Sequence, residues 1–368
     1  MKVNYNYLAE EFKNPSRIIA DWKKLIKSTD FTLGRYIEKF ETRFAKYIGA
    51  KHCIATNNGT DALILCLKAL NIGDGDEVIT VCNSFYASAG AIVAVGAKPV
   101  FCDSDNRYQI CVNDLKKKIN RKTKAIMPVH WGGASPNMQE ILKIAKEKKI
   151  RVVEDACMGI GAKVGNLSPG NFGIINAFSM HPLKSLNVMG DGGVVATNNT
   201  KLYSWLLKYR NHGMIDRDNI EFWGVNIRMQ PLQAIVALHG LKKLDSVIIK
   251  RTKNARFLDK ELSKKCFKKF IVLPPRPTDF KETYALYMIL CTKRDELKAY
   301  LEKKGIETKI HYPQPLHLQK PALTMGYKKG DFKNAEYQAK RLLTLPVHQF
   351  LTKGQLDHMI KCIYEFYL

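Results

Sequence analysis

The sequence lacks the features that mark membrane, repeat and low-complexity proteins. No uncharged stretch approaches the roughly 18 residues that a membrane-spanning helix requires. The polar start Met1–Tyr7 has no basic segment followed by an apolar run, and neither an internal repeat nor a low-complexity linker is present. We therefore expect a soluble, cytoplasmic protein with no membrane partner.

The sequence also lacks a cysteine pattern that would hold a metal, an iron–sulfur cluster or a disulfide framework. Its nine cysteines stand mostly inside apolar runs and include no C-x-x-C pair. Thiols in such runs are typically buried and reduced. We expect no metal site, and no histidine near Cys82 or Cys157 in the sequence indicates a cysteine nucleophile.

Acidic residues are scarce beside basic ones, since 34 Asp and Glu against 59 Lys and Arg give a formal net charge of +25. Such an excess can indicate a nucleic-acid-binding protein. The lysines, however, form short clusters at 116–118, 146–149 and 264–265, where helices would expose a solvated face. Nucleic acid is therefore not the expected partner, whereas a positive field that concentrates anionic substrates fits the same charge.

Length and pattern together predict the fold class. With 368 residues, 46% of them hydrophobic and 25% charged, the chain has a globular composition and room for two or three structural units. Short apolar runs alternate with amphipathic stretches at Glu77–Val81, Pro99–Asp103, Ala125–Val129, Arg151–Asp155 and Gly193–Thr197. This pattern predicts an α/β fold with a mostly parallel sheet between helices, where ligands bind beyond the carboxyl ends of the strands.

A second unit is predicted after a long helical stretch from about residue 230 to 262. It has strand-like runs at Lys269–Leu273 and Tyr284–Leu290 and a helix at Arg294–Lys304. We predict a large domain over 1–247, a smaller C-terminal α+β domain over 248–368, and a ligand site between the two.

The segment Asn57–Ala62 lies between an apolar run and an amphipathic helix. Gly59 lets the backbone approach an anion, the free N–H groups of the first helical turn point toward it, and Thr60 adds a hydroxyl. The pattern suits a phosphate, although Asn-Gly is also a common plain turn.

Asp155 follows a continuous apolar run, which places its carboxylate at the tip of a buried strand. There it can keep the ring nitrogen of a cofactor protonated, so that the ring acts as an electron sink. A turn aspartate or a helix cap is the other interpretation.

Lys184 ends the segment Phe178–Lys184, and a glycine turn at 190–193 follows shortly after it. Beside His181 and Ser179, its amine can enter a cavity and lose solvation, which lowers its pKa and favours a Schiff base with an aldehyde. A surface loop lysine is the alternative. Only the combination with Asp155 and the phosphate segment favours a catalytic role.

These segments together resemble the DegT/DnrJ/EryC1/StrS family of pyridoxal-phosphate (PLP) enzymes. Members mostly aminate nucleotide-linked keto sugars and have the fold type I aminotransferase architecture. The likeness extends over nearly the whole chain and includes further matches at 73–79, 123–130, 223–234, 311–319 and 343–352.

The resemblance implies a role for each candidate site residue. Lys184 would form the Schiff base with PLP and then act as general base. Asp155 would pair with the pyridine nitrogen, and Phe85 would stack on the ring. The other implied roles are phosphate contacts by Gly59, Thr60 and Ser179, a cofactor contact at Met158, a contact to the neighbouring subunit's phosphate by Asn226, and a substrate wall with His311 and Tyr312. The role of Asn226 implies a homodimer with shared active sites.

Two positions refine the resemblance. Met158 stands where the family usually has a glutamine that contacts the phenolic oxygen of the cofactor, and a thioether is a poor substitute for an amide donor. Lysine at position 184 argues against the branch of the family that dehydrates sugars, because that branch has histidine there.

We therefore predict a PLP-dependent aminotransferase that moves an amino group from L-glutamate to the ketone of a nucleotide-linked keto sugar, in surface polysaccharide or glycan biosynthesis. A small phosphorylated ketone is an alternative acceptor. A non-catalytic PLP-fold regulator or binding protein is the alternative from another class, and it would bind nucleic acid in a salt-dependent way.

Overall fold

The computed structural model describes residues 1–368 and arranges its strands in three sheets. The strands are β1 (His52–Thr56), β2 (Glu77–Val81), β3 (Lys98–Cys102), β4 (Thr123–Met127), β5 (Arg151–Asp155), β6 (Lys163–Val164), β7 (Ile175–Ser179), β8 (Gly193–Thr197), β9 (Ile271–Val272), β10 (Phe280–Lys281), β11 (Tyr287–Cys291) and β12 (Leu342–Leu345). The largest sheet has the order β1-β8-β7-β5-β4-β2-β3, and only β8 runs antiparallel to its neighbours. The other two sheets, β10-β6 and β12-β11-β9, are antiparallel.

Helices cover both faces of the large sheet, and other helices pack against the three-stranded sheet β12-β11-β9. They are α1 (Leu8–Glu11), α2 (Ser16–Ser28), α3 (Arg35–Ile48), α4 (Gly59–Ala69), α5 (Tyr86–Ala94), α6 (Val112–Lys118), α7 (Met138–Glu147), α8 (Thr200–Tyr209), α9 (Pro231–Leu241), α10 (Leu244–Leu262), α11 (Arg294–Lys303), α12 (Lys320–Leu323), α13 (Lys333–Arg341) and α14 (Lys353–Tyr367). None of them is both long and apolar enough to span a membrane.

The large sheet is buried on both faces, which explains its apolar strand sequences. Every residue of β2, β7 and β8 is buried. Along β8, Val194 packs into one hydrophobic cluster and Val195 into another, because successive side chains of a strand point to opposite faces. The prediction of an α/β fold with a mostly parallel sheet is confirmed.

Strand β7 is the part of the large sheet that the sequence pattern does not predict. Asn176 and Ser179 interrupt its apolar character, yet both are buried. The Asn176 amide group donates hydrogen bonds to the carbonyl oxygens of Gly170 and Gly173 at 2.8 and 3.2 Å. A polar side chain satisfied in this way can occupy the middle of a core strand.

The predicted helical stretch over about 230–262 consists of two helices in the structure. Helix α9 ends at Leu241 and α10 begins at Leu244. Lys243 donates its N–H to the carbonyl of Gly240 at 2.9 Å, a tight turn near a residue of low helix propensity. The predicted strand-like runs at Lys269–Leu273 and Tyr284–Leu290 contain shorter or shifted strands, β9 and β11.

Helix α10 connects the two main hydrophobic cores. Leu244 and Ile248 pack with the large sheet, whereas Leu258 and Leu262 pack with the three-stranded sheet. The predicted division of the chain after residue 247 falls inside this helix, and it stays a prediction.

Glu154, in the middle of the core, fixes the carboxyl end of β5 to the segment that leads into β7. Its Oε1 accepts hydrogen bonds from the N–H groups of Phe172 and Gly173, both at 2.8 Å. Its Oε2 accepts from the Gly170 N–H at 3.0 Å and lies 2.8 Å from His130 Nε2. All four lone-pair directions of this fully buried carboxylate are therefore used.

Substituting Glu154→Gln should destabilise the fold, because the new amide group would face N–H donors that need an acceptor. We expect a loss of about 3 kcal/mol in the free energy of unfolding, measured by denaturant titration. The exposed Glu147 on α7 offers a matched control, and Glu147→Gln should unfold at the wild-type denaturant concentration. A Glu154→Gln protein as stable as wild type would contradict this account.

Candidate active site

A cavity of about 550 Å³ lies at the carboxyl ends of the parallel strands. The segments that follow β1, β2, β4, β5 and β7 line its floor, while Tyr5 and Tyr7 from the amino terminus and the segment 345–348 close other sides. This is the place where ligands bind in open α/β sheets. The cavity is therefore the candidate active site.

The cavity brings together nine of the ten predicted site residues. They are Gly59, Thr60, Phe85, Asp155, Met158, Ser179, Lys184, His311 and Tyr312. Asn226 does not line the cavity; it lies exposed on the surface and forms a bridge with Asn211. Its predicted contact is to a second subunit, so its place outside this cavity leaves that prediction untested.

Asp155 is buried, and its carboxylate is held by neutral donors. Ser88, on α5, donates its hydroxyl to Oδ2 at 2.6 Å, and the Cys157 N–H donates to Oδ1 at 3.2 Å. Ser84 Oγ lies 2.7 Å from Ser88 Oγ. Since Ser88 gives its only proton to Asp155, Ser84 donates to Ser88. A two-serine chain therefore orients the carboxylate, and no cation pairs with it.

Lys184 follows β7 in a tight turn. Its N–H donates to the carbonyl of His181 at 3.0 Å, and Leu183 within this turn has a φ of 74°, which is costly for a leucine. Tyr7 donates its hydroxyl to the Lys184 carbonyl at 3.2 Å. The side chain enters the cavity. Burial lowers the pKa of the Lys184 amine below its usual range, an effect that Cys157 and Asp155 partly oppose.

The predicted phosphate segment forms the start of α4. Asn58 caps the helix by accepting the Asp61 N–H at 2.8 Å, and Gly59 is its first residue. A Cβ at Gly59 would lie 2.6 Å from Ser179 Cβ, so only glycine allows this close approach. The first-turn N–H groups of α4 and the hydroxyls of Thr60 and Ser179 therefore share one end of the cavity.

Aromatic and neutral groups form much of the remaining wall. Phe85 is 47% exposed and lies 6.0 Å from the Tyr312 ring, centroid to centroid. His311 Nδ1 lies 3.0 Å from Thr344 Oγ1. Burial lowers the pKa of His311 to about 4, and the charges of Lys184 and Lys309 act in the same direction. His311 is thus a neutral hydrogen-bonding group near pH 7.

Met158 lines the cavity and packs beside the hydrophobic cluster that contains Trp131. Its thioether brings no N–H or O–H donor to this wall. The indole N–H of Trp131, which also lines the cavity, is buried without a hydrogen-bond partner.

Several residues of the cavity were not predicted from the sequence. Ser84 and Ser88 could have been found, since their spacing of four places both on one side of a helix start that follows a strand. No spacing or motif in the sequence indicated Tyr7 or Arg251. Arg251 is one basic residue among 59, and only the path of α10 brings it to the cavity.

The residues present fit pyridoxal phosphate. A buried carboxylate without a cation suits a protonated ring nitrogen, an amine of lowered pKa suits an aldehyde, and a glycine-opened helix start suits a phosphate. All three occur in one cavity.

Comparisons with known proteins agree with this geometry. The model of the DegT/DnrJ/EryC1/StrS aminotransferase family matches residues 13–364. The chain is 37% identical to a pleiotropic regulatory protein of Geobacillus stearothermophilus, over 94% of this chain and 92% of that one. It is 34% identical to UDP-N-acetyl-3-dehydro-alpha-D-glucosamine 3-aminotransferase of Acidithiobacillus ferrooxidans, over 92% and 91% of the two chains. The structure of S. venezuelae DesV in complex with a ketimine intermediate matches with a TM-score of 0.94 and 31% identity, over 100% of this chain and 98% of that one.

Removing the hydroxyl that holds Asp155 should weaken cofactor binding. Ser88→Ala leaves Oδ2 buried without a donor, and we expect the Kd for PLP to rise about tenfold, which corresponds to about 1.4 kcal/mol. The measurement is a titration of the apoprotein with PLP, followed by visible absorbance. Ser204→Ala, which removes an exposed hydroxyl bonded only to the Thr200 carbonyl, should bind PLP as wild type does. Equal affinity of Ser88→Ala and wild type would show that Ser88 does not support Asp155.

Proposed function

The chain belongs to the DegT/DnrJ/EryC1/StrS aminotransferase family, and we propose that it transfers an amino group from L-glutamate to the ketone of a nucleotide-linked keto sugar. It is a PLP-dependent aminotransferase. The product would serve surface polysaccharide or glycan biosynthesis, and the working form would be a homodimer.

One observation carries this proposal. The amine of Lys184, with its lowered pKa, and the hydrogen-bonded carboxylate of Asp155 line the same cavity as the glycine-opened start of α4. A lysine or an aspartate with a purely structural role would not need to share a cavity with the other groups. Their coincidence supports the catalytic interpretation of all three.

Within this proposal, different residues of the cavity would bind different parts of the cofactor. Asp155 would hold the pyridine nitrogen, Phe85 would cover the ring, and Lys184 would bind the aldehyde carbon as a Schiff base. Gly59, Thr60 and Ser179 would hold the phosphate. When bound, PLP supplies an electron-withdrawing ring that lets an amino group leave one carbon skeleton and join another.

The chain itself moves the protons and excludes water. A lowered pKa makes the neutral amine of Lys184, the form that accepts a proton, more accessible, and accepting and returning a proton is the task of the general base. Asp155 stays fixed during the cycle because Ser88 and the Cys157 N–H orient it. The aromatic wall of Phe85, Trp131 and Tyr312 limits the access of water to the reacting atoms.

The nucleotide-sugar acceptor is supported by charge and by relatives. The net charge of +25 attracts an anionic pyrophosphate. A relative that is 34% identical over nearly its whole length is named as an aminotransferase of a UDP-linked sugar.

The homodimer is supported by an exposed apolar loop. Trp223 is 88% exposed, and Ile215, Ile220 and Val225 nearby are also exposed. Apolar side chains clustered on a surface are typical of subunit contacts. Asn226 lies in the same loop, so a second copy docked there would contact this part of the chain, in line with the role in the neighbouring subunit that the family resemblance implies for Asn226.

Two half-reactions, followed by the visible absorbance of bound PLP, test the proposal. L-glutamate should remove the absorbance of the PLP-loaded enzyme, and a nucleotide-linked keto sugar, added to the resulting pyridoxamine form, should restore it. Lys184→Ala should lose both responses, because it lacks the amine that binds and moves protons. The exposed Lys201 provides the control, and Lys201→Ala should behave as wild type.

Other outcomes identify other functions. Restoration by small keto phosphates alone would contradict the nucleotide-sugar acceptor. If no amino acid changed the absorbance, and the protein bound DNA or RNA in a salt-sensitive way regardless of Lys184, the aminotransferase proposal would be wrong.

A further inference from the structure

Arg251, on α10, is a buried cation without a carboxylate partner. It is 1% exposed. The other two buried arginines each pair with a carboxylate, Arg210 with Glu41 and Arg294 with Asp295. A buried charge is costly unless an opposite charge or strong hydrogen bonds compensate it. The isolation of Arg251 therefore needs a physical reason.

Neutral acceptors hold the Arg251 guanidinium in place. Nε donates to Gln349 Oε1 at 3.0 Å, Nη2 to the Tyr7 hydroxyl at 2.7 Å, and Nη1 to Ser185 Oγ at 3.4 Å. These contacts orient the group but leave its positive charge uncancelled. They also use only one N–H of each terminal nitrogen and leave the other, and guanidinium N–H groups are strong donors to carboxylates.

The charge of Arg251 acts on the carboxylate of Glu11, but Glu11 is not its ion-pair partner. Burial raises the pKa of Glu11 above its usual range, although the charge of Arg251 opposes this rise. The two side chains form no ion pair within 4.0 Å, and Glu11 does not line the cavity. Arg251 therefore lines the cavity without a paired carboxylate.

Arg251 lies close to the catalytic lysine. It lines the same cavity, and the Tyr7 hydroxyl that accepts from Nη2 at 2.7 Å donates to the Lys184 carbonyl at 3.2 Å. One tyrosine hydroxyl therefore connects the guanidinium to the backbone of Lys184. An amino-acid donor, whose amine would react at the aldehyde carbon that Lys184 holds, would enter the cavity that Arg251 also lines.

We propose that Arg251 binds a carboxylate of the amino-acid donor. The inference rests on the proposed aminotransferase function, because an amino acid must enter this cavity with a carboxylate close to its amine. A keto sugar that is not a uronic acid has no carboxylate, so with such an acceptor Arg251 would distinguish the donor from the acceptor although both react at one site. The alternative source of negative charge is the pyrophosphate of the acceptor.

The sharpest variant is Gln349→Glu, which keeps every atom of Arg251 and places a carboxylate where Gln349 Oε1 already accepts from Nε. The internal carboxylate would neutralise the arginine and repel the donor. Arg251→Met removes the charge itself. Arg294→Met is the matched control, because Arg294 is also buried but lies on α11 outside the cavity.

Two measurements test the proposal. Calorimetry of the PLP-loaded enzyme gives the Kd for glutarate, a dicarboxylate that has no amine to react. Rapid mixing with L-glutamate gives the apparent Kd of the first half-reaction. We expect both values to rise at least tenfold in Gln349→Glu and in Arg251→Met, and less than twofold in Arg294→Met. The keto-sugar concentration that half-restores PLP absorbance should change less than twofold in all three.

The opposite pattern would overturn the proposal. Unchanged glutarate and L-glutamate affinities in Gln349→Glu would assign Arg251 a purely structural role. A loss confined to the keto-sugar half-reaction would assign it to the pyrophosphate. Because glutarate binding requires no turnover, these outcomes differ from a failure of the aminotransferase function, in which wild-type enzyme would not respond to L-glutamate at all.

Discussion

The active site depends on two buried groups of opposite charge, neither of which has an ion-pair partner. Asp155 is held by Ser88 and the Cys157 N–H, and Arg251 by Gln349, Tyr7 and Ser185. Uncompensated buried charges reduce stability, and neutral hydrogen bonds recover only part of that cost. Both charges line one cavity. A ligand that carries a protonated ring nitrogen, together with one that carries a carboxylate, would complete both pairs.

The core supports this arrangement through β5. Successive residues of a strand point to opposite faces, so Glu154 turns into the core while Asp155 turns toward the cavity. Three hydrogen bonds of Glu154 fix the end of β5 to the segment before β7, and a fourth joins it to His130. Strand β7 then delivers Ser179 and the turn of Lys184 to the same cavity. The rigidity of the core thus sets the position of the reacting groups.

Sequence reasoning placed residues at the cavity where their position follows from the local pattern. Asp155 and Gly59 lie directly beside apolar runs that form β5 and β1, and the carboxyl ends of neighbouring strands meet at one edge. It failed where tertiary packing decides. Strand β7 contains a buried asparagine whose hydrogen-bond partners are Gly170, Gly173 and the Glu154 N–H, and α10 carries Arg251 to the cavity from a stretch that resembles an ordinary basic helix. The unpaired state of Arg251 is visible only when all its neighbours are known.

The most direct test of the central claim is to reduce the PLP-loaded enzyme with borohydride and map the modified peptide by mass spectrometry. Borohydride fixes PLP to the amine that holds it, among the many lysines of this chain. The account predicts a single modified residue, Lys184, and no modification after the enzyme has first been converted by L-glutamate. Label on a different lysine, or label spread over surface lysines in proportion to their exposure, would contradict it.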